Sequence, residues 1–449
     1  MNRLFGTDGI RGRANVPPMT VDTVMKVGQS AAQVCHTRPG RCKIVIGKDT
    51  RLSGYMIESA IAAGICSMGV DVLLAGVLPT PGIAFMTTSM RADAGVVISA
   101  SHNPFHDNGI KIFNRDGFKL PDELERKIEN LVFQAGPDSV QPSSENLGRI
   151  SRLTDADGRF TVFLKNTFPR HLSLDGLKIV LDCAHGAAYK VAPAVLSELG
   201  ADLILLGAQP DGKNINHQCG SLHPALLASA VTKESADLGV ALDGDGDRAI
   251  FVDETGRVLD GDQVMAICAA HLHKQGKLNN DTLVATVMSN LGLEVCLAEM
   301  GVQLVRTKVG DRWVVEEMLR RNCNLGGEQS GHIIFLDHNT TGDGILTCLQ
   351  LLAIMLEDRH RLSELAGIMT RYPQELINVK VSHKRNLDEL PEVASLTREV
   401  TRELGSKGRV LIRYSGTEPL VRVMLEGEDA AVIRSYAEQL ASSLNRALG

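Results

Sequence analysis

Short apolar runs alternate along this chain with longer stretches whose apolar residues recur every three or four positions. That is the pattern of parallel strands joined by helices. Three times it is built in the same way. Lys-Ile-Val-Ile-Gly (43–47) leads into a helical stretch ending at Met68-Gly69, then Val-Asp-Val-Leu-Leu (70–74), then a third strand that reaches Ser101. Leu-Lys-Ile-Val-Leu-Asp (177–182) leads to Leu199-Gly200, Ala-Asp-Leu-Ile-Leu-Leu (201–206) and a third strand that reaches Asp243. Leu-Val-Ala-Thr-Val (283–287) leads to Met300-Gly301, Val-Gln-Leu-Val-Arg (302–306) and Gly-Gly-Glu-Gln-Ser-Gly-His (326–332). Strand, helix, strand order predicts right-handed parallel crossovers, and each glycine stands where a helix C′ residue needs a left-handed backbone.

After Tyr372 the texture changes. Leu-Ile-Asn-Val-Lys-Val (376–381) predicts a strand, and a charged helical stretch follows. Gly-Arg-Val-Leu-Ile-Arg (408–413) and Leu-Val-Arg-Val-Met-Leu (420–425) predict two more strands, and an amphipathic helix runs from Asp429. The expected class is therefore α/β. Three similar α/β domains, with mixed sheets sandwiched by helices, precede a small C-terminal α+β domain. The expected boundaries are 1–155, 156–254, 255–371 and 372–449.

At 449 residues the chain is long enough for several cores. A net charge of -6 argues against a nucleic-acid footprint. The nine cysteines include no CxxC pair, which points to reduced thiols rather than disulfides or zinc. No apolar h-region opens the chain and no apolar run nears the ~20 residues of a membrane span. A cytoplasmic protein without nucleic-acid or membrane partners is the expectation.

The chemistry lies where the third strands end. Val-Val-Ile-Ser-Ala-Ser-His-Asn-Pro (96–104) is an apolar run that breaks into a polar loop holding Ser101 and His102. Open α/β sheets place their chemistry at such strand mouths. The loop reads either as a nucleophile's seat or as a plain Ser or Asx turn before proline. His102 and Lys111 are near enough in sequence to move a proton or to neutralise charge. The second loop, Asp-Gly-Asp-Gly-Asp, carries Asp243, Asp245 and Asp247. In an extended stretch this spacing points all three carboxylates one way, and hard oxygen ligands suit Mg²⁺. An EF-hand is excluded, because Arg248 stands where its glycine belongs and the flanks read as strands. A P-loop around Gly47-Lys48 also fails, because Asp49 replaces the needed Ser or Thr. In the third loop Glu328, Ser330 and His332 suit sugar hydroxyls or an amine, or form a turn. In the fourth, Arg413, Ser415, Gly416, Thr417 and Arg422 make either a phosphate cradle or a solvated hairpin.

Together these segments resemble the α-D-phosphohexomutase family. The likeness spans the chain: Phe-Gly-Thr-Asp-Gly-Ile-Arg-Gly (5–12), Ser-Ala-Ser-His-Asn-Pro (99–104), Asp-Gly-Asp-Gly-Asp-Arg (243–248), Gly-Glu-Gln-Ser-Gly-His (327–332) and Arg-Tyr-Ser-Gly-Thr-Glu-Pro-Leu-Val-Arg (413–422). The first of these, Gln329 and Thr-Lys-Val-Gly-Asp-Arg (307–312) look like its glucosamine branch. The family often has Thr in place of Ser99, and Pro or Lys in place of Tyr414.

The resemblance implies four domains around a central cleft. It implies a phosphoserine at Ser101 and one Mg²⁺ held by Asp243, Asp245, Asp247 and the phosphoserine. It places Arg11, His102, Lys111 and Arg248 at the reacting phosphate. It gives substrate binding to Lys308, Gly310, Asp311, Glu328, Ser330 and His332, with the distal phosphate on Arg413, Ser415, Gly416, Thr417 and Arg422. The implied reaction interconverts glucosamine 6-phosphate and glucosamine 1-phosphate through a bisphosphorylated sugar. A hexosamine or glucose 1,6-bisphosphate would be the activator, the product would feed UDP-N-acetylglucosamine and cell-wall precursors, and a homodimer is the expected assembly.

Overall fold

The computed structural model describes residues 4–6, 8–35, 42–134, 142–383, 385–414 and 420–449. The chain forms two compact units: Met1–Met288 with Leu304–Gly367, and Ser289–Gln303 with Ile368–Gly449.

The three sequence repeats become three sheets with one shared topology. In the first, Asp107–Asn114, Ala94–Ile98, Lys43–Lys48 and Asp71–Val77 lie side by side in that order. In the second the order is Ala249–Asp253, Leu238–Leu242, Lys178–Asp182, Asp202–Leu206. In the third it is Ile333–Phe335, Leu325–Gly327, Thr282–Thr286, Gln303–Thr307. Each predicted third strand thus pairs in parallel with the first strand of its copy. The helix-ending glycines adopt the left-handed backbone expected of them, at φ +78° for Gly69, +105° for Gly200 and +77° for Gly301.

One shared feature is legible only in the second copy, where Ala-Ile-Phe-Val-Asp (249–253) reads as a strand. After each polar loop the chain returns as an antiparallel strand beside the strand it has just left. The site loops are therefore reversals between two buried strands. Both flanks are anchored, so a loop side chain is aimed by two strands rather than one. The first sheet also gains Ile10–Arg13 at the edge beside Asp107–Asn114, and Ile150–Arg152 at the far edge. Ile10–Arg13 reads Ile-Arg-Gly-Arg, too polar for its strand to be legible.

The strands are held by ordinary apolar burial. Ile44, Ile46, Ile57, Ile61, Ile98 and Ile110 are all at most 1% exposed. Each such side chain contributes roughly 1.5–3 kcal/mol on leaving water.

In the second unit Gln374–Lys380, Leu420–Gly427 and Gly408–Tyr414 form an antiparallel sheet in that order. Its core is packed by Val421, Val423, Leu425, Ile433, Leu440 and Leu444. Helix Leu291–Glu299 belongs to this unit. Buried Glu426 accepts the Leu291 N–H at 3.0 Å and pairs with Arg409 at 2.5 Å.

Candidate active site

Ser101 is 1% exposed and sits at φ +51°, the left-handed region that a non-glycine residue seldom occupies. Its Oγ donates to Asp243 Oδ2 at 2.6 Å and lies 3.4 Å from His102 Nδ1. The nucleophile candidate and the metal loop candidate, 142 residues apart, are therefore in direct contact. Burial first, and then Arg248 and Arg11, push the His102 imidazole down to about 4. That ring is neutral at pH 7.

The Asp243, Asp245 and Asp247 carboxylates come within 4.8 Å of one another and could hold a metal ion. The expected extended stretch is corrected here. Residues 244–247 form a turn with Gly246 at φ +71°, so the carboxylates converge by bending of the loop rather than by strand pleating. Strands Leu238–Leu242 and Ala249–Asp253 flank it.

Burial, then Asp247 and Asp245, raises the Asp243 carboxyl well above the usual range. Asp245 Oδ2 accepts from Thr80 Oγ1 at 2.7 Å and Lys111 Nζ at 3.0 Å. Among the described residues no hydrogen bond reaches the buried Asp245 Oδ1 or Asp247 Oδ1. Three clustered buried acids, two of them with an unsatisfied oxygen, are a poor arrangement without a further cation. The donor set, all carboxylate oxygen, fits a hard divalent ion.

Lys111 reaches the aspartate loop from the neighbouring sheet. It is buried, with Nζ 3.0 Å from Asp245, 3.5 Å from Asp247 and 3.3 Å from Asp8. Burial alone would lower its pKa, but these three carboxylates raise it well above its ordinary value. Its ammonium group thus lies against the carboxylate cluster. Asp8 also pairs with Arg11 and Lys119. Burial would raise the Asp8 carboxyl, yet Lys111, Lys119 and Arg11 hold it well below the usual range. Arg248 lies with its Nε 3.7 Å from Asp247.

The sugar-loop candidates join the same cluster. Glu328 Oε1 accepts the Gly310 N–H at 3.0 Å, and its Oε2 is 3.5 Å from Ser330 Oγ. His332 sits between Asp247, 3.5 Å from Nδ1, and Asp311, 3.5 Å from Nε2. Asp311 is itself held by Lys119 at 2.5 Å. Lys308 lies with Nζ 5.3 Å from the Trp313 ring centre. Gln329, one of the marks of the glucosamine branch, reaches toward Asp260 with its amide nitrogen, which donates to Oδ2 at 3.4 Å beside the cap of helix Gly261–Lys274.

Of the fourth loop, Ser415, Gly416 and Thr417 lie outside the described residues. Arg413 and Arg422 face each other across the strand pair. Opposed residues of an antiparallel pair share a face, and like charges there repel. Burial, then Arg422, lowers the Arg413 pKa. Two guanidinium groups set together in this way are suited to an anion.

Several site residues gave no sequence signal. Thr80, Lys119 and Asn216 are ordinary polar residues until the sheets bring them together, and Asp8 is visible only as part of the 5–12 motif, with no role of its own. Arg51 and Asp49 lie in the segment that fails as a P-loop. Gly342 is another. A Cβ there would meet three His332 ring atoms at 2.5–2.6 Å. Gly342→Ala is expected to lower thermal stability by about 1–3 kcal/mol, the usual cost of overpacking. Turnover should fall with it as His332 is pushed off Asp247. A calorimetric scan alongside an activity assay checks this, and an unchanged kcat would detach His332 from the chemistry.

Models of the phosphoglucomutase/phosphomannomutase α/β/α domains I, II and III match residues 2–138, 159–256 and 260–372. The model of that family's C-terminal domain matches 376–443. The phosphoglucosamine mutase of Citrifermentans bemidjiense is 62% identical over 449 residues, covering 100% of this chain and 99% of that protein. A phosphoglucomutase/phosphomannomutase family protein from Burkholderia thailandensis has the same fold, with a TM-score of 0.84 at 23% identity over 100% of this chain and 98% of that one. The N-acetylphosphoglucosamine mutase of Aspergillus fumigatus, solved with GlcNAc-6P and magnesium, gives 0.68 at 17% identity over 99% and 96%.

Proposed function

Because the chain belongs to the phosphoglucomutase/phosphomannomutase family and is an isomerase that interconverts glucosamine 6-phosphate and glucosamine 1-phosphate, we propose that Ser101 carries the phosphoryl group exchanged in that reaction. The observation that carries this reading is the 2.6 Å contact between Ser101 Oγ and Asp243 inside a cluster of three buried carboxylates.

In the first half-reaction the bond from Ser101 Oγ to phosphorus breaks and a bond from a sugar hydroxyl oxygen to phosphorus forms. The hydroxyl gives up its proton as the departing Ser101 Oγ takes one up, and His102, with Nδ1 3.4 Å from that oxygen, can relay it from one oxygen to the other. The bisphosphorylated sugar then reverses, and its other phosphate returns to Ser101. Asp243, Asp245 and Asp247 would hold Mg²⁺, which when bound supplies charge neutralisation at the transferring phosphoryl. Lys111, Arg11 and Arg248 add fixed positive charge around the same point. Glu328 and Ser330 grip the ring hydroxyls or the 2-ammonium, with Lys308 and Gly310 beside them. Asp311 and Lys119 hold His332 in place.

Arg413 and Arg422, with the loop they flank, take the phosphate that is not reacting. A sugar 1,6-bisphosphate serves as activator, because it can recharge an enzyme that has lost its phosphate. All nine cysteines are free thiols, and no helix among the described residues is long and apolar enough to cross a membrane. Both facts support work in the cytoplasm, where the product supplies amino-sugar precursors.

The test is a quenched reaction of the enzyme with isotopically labelled glucosamine 1,6-bisphosphate and unlabelled glucosamine 6-phosphate. Label must pass through protein to monophosphate. Label that never visits protein would point to direct transfer between sugars. Arg413→Ala is expected to raise KM for monophosphate about tenfold or more, since each charge-assisted hydrogen bond to phosphate is worth roughly 1.5–3 kcal/mol. A flat KM in steady-state kinetics would make the Arg413–Arg422 pair structural.

A further inference from the structure

Arg51 is fully buried at 0% exposure, and the mechanism above leaves it without a task. All five of its guanidinium N–H donors are engaged. Nη2 donates to the carbonyl oxygens of Ser101 at 2.9 Å and Asn103 at 2.8 Å. Nη1 donates to those of Pro104 and, at 3.0 Å, Asp107. Nε donates to Asp49 at 2.7 Å. Four of the five bonds thus fall on the backbone of the loop that presents Ser101.

The other side of the same peptide is fixed through Asp49. Its Oδ2 also accepts from Ser99 Oγ at 2.6 Å, and Ser99 Oγ accepts the Ser101 N–H at 2.9 Å. A third group arrives from the second α/β copy. Asn216 Nδ2 donates to the carbonyl oxygens of Ser101 at 2.9 Å and Asn103 at 3.0 Å. The metal loop is shaped to admit this arrangement. A Cβ on Gly244, between Asp243 and Asp245, would lie 2.5 Å from the Ser101 oxygen and 2.7 Å from Asn216 Nδ2.

We infer that Arg51 and Asn216 are positioning residues: by holding the Ser101 carbonyl oxygen from two sides they keep Ser101 in its left-handed conformation, with Oγ aimed at the three-aspartate loop. The inference rests on the reading of Ser101 as the phosphoryl carrier. A left-handed serine relaxes toward the ordinary right-handed or extended backbone unless its surroundings hold it. Its hydroxyl would then swing away from Asp243. Phosphoryl transfer depends on in-line placement, and a misplacement of about 1 Å can cost roughly a hundredfold in rate. Lysine cannot replace Arg51, because a single ammonium with three donors does not span four carbonyls and a carboxylate.

The experiment uses the full-length enzyme as Arg51→Lys, Asn216→Ala and, separately, Ser101→Ala. Wild type and the first two variants are charged with labelled glucose 1,6-bisphosphate. The single-turnover rate of label transfer to glucosamine 6-phosphate is then measured with KM, thermal midpoint and amide exchange over residues 99–107. Transfer should slow by about tenfold or more in Asn216→Ala and about a hundredfold in Arg51→Lys, with KM within about twofold of wild type. Exchange at 99–107 should quicken while the remaining strands of that sheet keep their protection. Transfer at the wild-type rate with only the thermal midpoint lowered would overturn the inference and make Arg51 a stability element. Should Arg51→Lys fail to fold, Asn216→Ala decides alone, since it leaves the Arg51–Asp49 pair in place. A Ser101→Ala enzyme that still turns over would instead overturn the carrier reading beneath it.

Discussion

Ser101→Ala is expected to abolish mutase turnover, by at least about a thousandfold, or about 4 kcal/mol of barrier. The expectation follows from the covalent role, because no other hydroxyl among the described residues is bonded to Asp243. The fold should survive. Alanine tolerates the backbone at 101 about as well as serine, and the loop is held through main-chain groups by Arg51, Asn216 and Ser99. The loss is one hydrogen bond to Asp243, which costs roughly 1–3 kcal/mol when a buried acceptor is left unpaired. Kinetics and a melting curve on one preparation check this. Turnover within a few-fold of wild type would remove Ser101 from the mechanism.

The second large effect is expected at Asp245. Asp245→Asn keeps the shape but removes one charge from the carboxylate trio and weakens the partner of Lys111. The Mg²⁺ concentration for half-activation should rise by about 10–100-fold, the scale that even outer-shell losses reach at metal sites. KM for sugar monophosphate at saturating Mg²⁺ should change far less. An activity titration against Mg²⁺ reads both quantities. An unmoved activation curve would place the metal on other residues.

Much of this architecture could be read from the chain. The third strands of the first two copies are apolar runs that end abruptly in polar residues, so both strand and loop announce themselves, whereas that of the third copy is only Leu-Gly-Gly. Gly69, Gly200 and Gly301 marked helix ends because only a left-handed backbone fits there. The returning antiparallel strands were harder. Ile333–Phe335 is three residues long, and Asp107–Asn114 carries polar residues among its apolar ones, so neither shows clean alternation.

The site was legible where a residue's chemistry is local. Three aspartates spaced by glycine suggest a cation wherever they occur, although the geometry assumed for them was that of a strand and the real one is a turn. The site was illegible where function depends on distant partners. Arg51 follows a lysine, an aspartate and a threonine, a run that reads as a solvated loop. Its complete burial arises only because carbonyls at 101, 103, 104 and 107 converge on it. Lys119 is in the same position: it becomes a site residue only by pairing with both Asp8 and Asp311. The roles of individual residues in the reaction came from resemblance to the family, while the contacts among them came from the fold.

The central claim is that Ser101 carries the phosphoryl group, and a peptide mass map of the purified enzyme tests it most directly. The enzyme is charged with glucose 1,6-bisphosphate, digested, and compared with a sample chased with excess glucosamine 6-phosphate. The account predicts one phosphate on the peptide containing Ser101, localised to Ser101 by fragmentation and lost in the chased sample. A phosphate on another residue that discharges to the sugar, or none on any peptide of a fully active enzyme, would contradict it.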